Sequence, residues 1–352
     1  MDGLVERVSA SFLPYAAPAV PKGTLARRRR ARKGGCAELS TWSVAFDTGA
    51  SDDRRRAPIE RGADVAHDFD PGLPRRFRTL VRNYPDGDVY PVEDFRLEWG
   101  PVFHRGRLDG SARVVVLGQD PATHETIARR ILVGEAGQRI QGFLARLGIT
   151  TSYVMINTFL YSVYGQGGGE KHKDDPKIAR YRNQWLDKLI VGQSVDAVVT
   201  LGRLADQAFQ AWRATPSGQA SGVFQQAVTH PTFPESSSAS GQTTKAEAMA
   251  KMLENWNVGL QALAPHITQP DAPRPLQLYG TQLEDADLAP IPEADLPAGL
   301  PPWMRSLKAW ASRAATGGAA LPTATEEQKD EAKRATIVVA VPTKERPWHP
   351  TV

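Results

Sequence analysis

The chain has 352 residues, 41% hydrophobic and 23% charged, with a formal net charge of +4 and one cysteine, Cys36. That length suggests about two domains, and that balance fits a water-soluble protein with a substantial core. No apolar run approaches the roughly 20 residues needed to span a bilayer, and no apolar stretch follows the basic N-terminal residues as it would in a signal peptide.

A single cysteine excludes an intramolecular disulfide and any cluster held by several thiolates. It points to a cytoplasmic setting, nucleoid-associated if the source is bacterial. A pI near 9.1 admits nucleic acid as a partner.

Residues 1–70 are rich in Ala, Arg, Gly and Pro without a sustained period, and are expected to be a disordered basic extension. Arg27-Arg28-Arg29-Arg30-Ala31-Arg32-Lys33 within it reads either as a phosphate-holding run or as a solvated tail. A folded domain is expected over residues 74–264, opening on a helix with Phe77, Leu80 and Val81 along one face. The aromatic stretch from Tyr90 to Arg107 follows. Its Trp99, Phe103 and His104 read as pocket lining or as core.

Val114-Val115-Val116-Leu117 suits a strand buried on both faces. It stops on Gly118 and turns through Gln119-Asp120-Pro121. Two readings stand for this turn: the floor of an active site with Asp120 as its carboxylate, or a plain Gly/Pro turn. A loop is expected after Asp120, then a helix over residues 137–147. Strands are expected at 153–159, 195–201 and 224–228, and helices from Pro176, over 202–212 and over 243–263.

This alternation predicts a three-layer α/β/α sandwich around a central four-stranded parallel sheet. In such a sheet Gln119-Asp120, Asn157 and His230 lie at carboxyl ends on one edge and can converge. From Pro265 prolines recur, and residues 265–352 are expected to wrap the core or act as a linker, with an amphipathic helix over Trp303–Ala314 and a short strand over Ile337–Val341.

An Asp, an Asn and a His at three strand ends make a sparse site. No Ser or Cys nucleophile has a base beside it, no phosphate loop of the GxGxxG or GxxxxGK[ST] type occurs, and no His or carboxylate spacing suits a metal. Neither metal nor cofactor is expected. Such a site suits a reaction that proceeds by bond dissociation, with the protein stabilising charge and placing a water.

Gly118-Gln119-Asp120-Pro121 followed by His230-Pro231 resembles the two signature motifs of the uracil-DNA glycosylase superfamily. Asn157 stands where that superfamily keeps its base-reading Asn, and Leu132 to Gly137 (LVGEAG) resembles the FVGxAG stretch of its iron–sulfur branch. The resemblance implies a monofunctional DNA glycosylase of base-excision repair, acting on single- or double-stranded DNA by base flipping, and here expected to be a monomer.

By the same resemblance Asp120 places the water and stabilises a cationic sugar, while His230 donates to O2 of the leaving base. Gln119 and Asn157 hold the base, and Phe233 wedges into the vacated stack. Lys171 and Lys173 are phosphate candidates. The chain departs from the family at several points. It lacks the four cluster cysteines, so it cannot hold that cluster. Ala122 replaces a Tyr that excludes C5-substituted pyrimidines, and Leu132 replaces a stacking Phe. Thr123 replaces a His, with His124 one residue late. Smaller walls admit a larger base, so a C5-modified pyrimidine is a second expected substrate, as in base-modified phage DNA. A nucleic-acid binder without turnover is a third reading.

Overall fold

The computed structural model describes residues 67–164, 169–241, 243–306, 308–313 and 337–342. Most of the expected N-terminal extension lies outside the described residues. Its last residues, 67–70, are placed: the Asp70 carboxylate accepts from Arg130 at 2.7 and 2.9 Å.

Along the chain run α1 (Arg75–Arg82), β1 (Arg105–Gly106), β2 (Val114–Gly118), α2 (Thr123–Ala128), α3 (Glu135–Arg146) and β3 (Tyr153–Asn157). Then come α4 (Pro176–Ile190), β4 (Ala197–Leu201), α5 (Arg203–Arg213), α6 (Pro216–Ser221), β5 (Phe224–Val228), α7 (Phe233–Ala239) and α8 (Lys245–Leu263). Beyond them are α9 (Trp303–Ser306), β6 (Ala311–Arg313) and β7 (Ile337–Val339).

The main sheet has the order β1-β3-β2-β4-β5. The four expected parallel strands are there, and β1 adds an antiparallel edge two residue pairs long. The aromatic stretch ahead of the central strand supplies that edge. Helices cover both faces because alternate residues of the strands are apolar in both directions. Val115 and Leu117 pack with Phe77, Trp185, Phe209 and Trp212 on one side. Val114 and Val116 pack with Phe143, Met252 and Trp256 on the other. Burying each such side chain contributes about 1.5–3 kcal/mol.

Register fixes where the strands end. Gly118 pairs with Asn157 across β2 and β3, and Leu201 with Val228 across β4 and β5. The residues that follow Gly118, Leu201 and Val228 therefore leave the sheet on the same edge.

Two expectations are corrected. The segment after Asp120 is not a loop throughout: α2 forms because the Glu125 carboxylate accepts the Ala122 N–H at 3.1 Å, the return bond of a capping box. The amphipathic helix over Trp303–Ala314 is confined to Trp303–Ser306, and the chain then extends as β6, paired antiparallel with β7. Tertiary contacts override the helical pattern there. The N–H groups of Trp310 and Ala311 both donate to Nε2 of His124 at 3.1 Å, and the Trp310 ring is buried with Val133, Ile291 and Leu296. Described residues of the proline-rich stretch bond to the core. Asp271 accepts the N–H groups of Thr150, Thr151 and Ser152 at 2.7–2.9 Å, and Asp295 accepts from Arg105.

Candidate active site

A cavity of about 810 Å³ opens at the carboxyl edge of the sheet. Gln119, Asp120, Ala122, Leu132, Asn157, His230 and Phe233 all line it. Every base-binding and catalytic residue expected from the sequence is thus brought to one hollow.

Asp120 follows β2. Its Oδ2 accepts the Val163 N–H at 3.1 Å and its Oδ1 accepts from Gln119 Nε2 at 3.1 Å. Burial pushes its carboxyl up to about 6, opposed in part by those two bonds and by the positive charge of Arg96. Arg96 is itself placed by the Phe95–Val163 bridge and by its N–H bond to the Ser162 carbonyl, with its guanidinium facing the rings of Trp99 and Tyr164 at 4.6 and 4.2 Å.

Asn157 ends β3 opposite Gly118. A Cβ at Gly118 would clash with the Asn157 side-chain oxygen, so the glycine makes room for the amide to lie over the strand end. One amide group there offers a donor and an acceptor to the cavity.

His230 is half-buried. Its Nδ1 accepts the Thr232 N–H at 3.2 Å and faces the Thr232 hydroxyl at 2.9 Å. An Nδ1 that accepts leaves the ring proton of the neutral imidazole on Nε2. Burial lowers the pKa to about 4, so the neutral ring is the form present near pH 7.

Leu132 is buried with a φ of +52°, a conformation that costs a non-glycine residue some strain. Phe233 opens α7 and packs against the core layer of Trp256 as well as lining the cavity. Lys171 and Lys173 stand off the cavity lining, each ammonium paired with a carboxylate: Lys171 with Asp94 at 2.9 Å and Lys173 with Asp174 at 2.5 Å. Trp99, Phe103 and His104 also stay out of it. Trp99 faces Arg96, Phe103 stacks on Trp185, and His104 pairs with Asp70 at 3.7 Å.

Sequence reasoning missed two residues at this edge. Glu125 lines the cavity at 6% exposure, and burial pushes its carboxyl up to about 7 against the Ala122 N–H bond, with the nearby Asp120 charge adding to the rise. Its N3 position in α2 was hidden in the sequence because the N-cap is Ala122 and not a Ser, Thr, Asp or Asn. Arg139 is buried beneath the His230-Pro231 loop, and a charged residue inside a helix face gives no signal either.

Among the described residues no group of His, Cys, Asp and Glu could hold a metal ion, and no helix is long and apolar enough to cross a membrane. The site is built from a buried carboxylate, a neutral imidazole whose proton sits on Nε2 because Nδ1 accepts, and an amide. It can place a water, stabilise a developing cation and receive a developing anion.

No curated protein matches the chain. A family model does match, over the stretch that carries β1 to β5 and most of α8. With the parallel sheet and the strand-end residues in place, residues 105–257 belong to the Uracil DNA glycosylase superfamily.

Proposed function

We propose that the protein is a DNA glycosylase that flips uracil out of DNA into this cavity and hydrolyses its N-glycosidic bond. The observation that carries the reading is the convergence of Asp120, Asn157 and His230 on one cavity, from the ends of β2, β3 and β5. The bond from C1′ to the base breaks with its electron pair going to the base. The Nε2–H of neutral His230 donates to O2 of the resulting anion. Asp120 as carboxylate faces the oxocarbenium-like sugar, aligns a water for attack on C1′ and takes its proton. Asn157 and Gln119 hold the base. Phe233, which lines the cavity, would enter the stack that the base leaves. Lys171, 67% exposed, can exchange Asp94 for a phosphate.

The same chemistry on a C5-modified pyrimidine is the second reading, favoured by Ala122 and Leu132, which both line the cavity with small or flexible side chains. One panel separates the readings: oligonucleotides with uracil, a thymine mispair, hydroxymethylated cytosine or glycosylated cytosine, with abasic sites scored by alkaline cleavage. Uracil cleavage alone supports the first reading, and cleavage of a C5-substituted base supports the second. Binding without cleavage of any of them sinks both in favour of a binder without turnover.

A further inference from the structure

One guanidinium joins the two walls between which a flipped base would sit. Arg139, on α3, is 3% exposed. Its Nη1 donates to the Pro231 carbonyl at 2.5 Å and to Glu235 Oε2 at 3.0 Å. Its Nη2 donates to Glu235 Oε1 at 2.9 Å and to Glu135 Oε1 at 2.5 Å. Glu135 opens α3 directly after Leu132-Val133-Gly134. Pro231 follows His230, and Glu235 lies in α7, which begins at Phe233.

Leu132 is itself tied to α3. A Cβ on Gly137 would clash with the Leu132 carbonyl, so loop and helix touch at a place only glycine fits. The Leu132 wall and the His230–Phe233 wall are thereby linked through a single side chain. The link is short and forked, a geometry that lysine cannot reproduce. It is also strongly charged. Burial raises the Glu235 carboxyl, but the Arg139 bonds and charge, helped by the Lys245 ammonium at 3.0 Å, outweigh it and bring the group down to about 2. Packing alone does not require this cation, because Ile140, Phe143 and Leu144 already anchor α3 to the sheet.

We propose that Arg139 is a positioning residue that, by holding the Pro231 carbonyl, fixes the His230 imidazole at a set distance from Leu132 and so sets the width of the slot that receives the base. The slot's occupant rests on the glycosylase reading. The placement of the imidazole does not.

Two measurements test it. The first follows the His230 ring-proton resonance against pH, identified by its loss in His230→Ala. The wild-type midpoint near 4 is expected to move up by a unit or more in Arg139→Leu, towards the ordinary value of about 6.5, as the loop opens to water. Arg139→Lys should fall between. The second is single-turnover excision from a uracil oligonucleotide. Arg139→Leu is expected to lose at least tenfold in rate with KM within about threefold, and Arg139→Lys to recover part of the loss. An unmoved midpoint in an Arg139→Leu variant with the wild-type circular dichroism overturns the proposal, whatever the rate does. If that variant does not fold, an unmoved midpoint in folded Arg139→Lys overturns it equally. A wild-type protein that excises no base defeats the glycosylase reading alone, and the titration still decides the role of Arg139.

Discussion

Asp120 and Glu125 face one cavity, and burial pushes both carboxyls up. The ionised form of Asp120 is the one that can hold a water and a cation, and its carboxyl titrates at about 6. His230, at about 4, stays neutral across this range. The expected kcat/KM profile therefore rises with pH through about 6 and levels above it, and Asp120→Asn removes both the limb and most of the rate. Loss of positioned acid–base help costs about 10²–10⁴-fold. Removing the His230 donor is expected to raise the barrier by about 3–4 kcal/mol.

Glu125 makes a different prediction, about stability. Its folded pKa, about 7, lies above the ordinary 4.5, so folding favours the protonated form and that preference is lost as pH rises through 7. Glu125→Gln keeps an acceptor for the Ala122 N–H. Its melting temperature, measured against wild type, should gain more at pH 8 than at pH 5. A gain that is the same at both would mean that Glu125 ionises freely in the folded protein.

At the scale of elements, the C-terminal strap acts on the motif helix. β6 docks where two backbone N–H groups meet His124 Nε2, and the Thr123 hydroxyl donates to the Ala311 carbonyl at 3.4 Å. The Trp310 ring fills the junction, in edge contact with His124 at 4.8 Å. Trp310→Ala is expected to cost about 3–5 kcal/mol, read as a lower denaturant midpoint.

This strap was the least legible part of the sequence. In the sequence Trp303, Met304, Leu307 and Trp310 carry a helical spacing, and nothing local announces that His124, nearly 190 residues earlier, takes the backbone donors a helix would need. The parallel strands were legible because β-branched runs with turn residues behind them have few other uses. Their polar tips were legible with them, since register in a parallel sheet puts carboxyl ends level. Arg139 was not: its pair with Glu135 four residues earlier reads as an ordinary helix-surface pair, and its other partners are a carbonyl and a carboxylate 92 and 96 residues away.

For the whole molecule, the net charge of +4 is small, so under the proposed function affinity for DNA would come from a few placed cations rather than from a general field. Binding to an oligonucleotide is expected to fall with salt along a shallow slope, with each phosphate contact adding about 0.9 for duplex and about 0.7 for single strand. A slope near zero would argue against phosphate contacts altogether.

The strand order has a further consequence, for heat. β2 lies in the middle of the sheet and is buried along its whole length, whereas β5 is an edge strand, half-exposed except at Val228. Asp120 is thus fastened to the most protected strand and His230 to the outermost one. Edges open before centres. On warming, the imidazole would drift from the carboxylate while the sheet around β2 still stands, so loss of the proposed activity is expected to be a local fraying and not a melting. Activity should disappear several degrees below the calorimetric transition, and amide exchange in β5 should outpace that in β2 over the same interval.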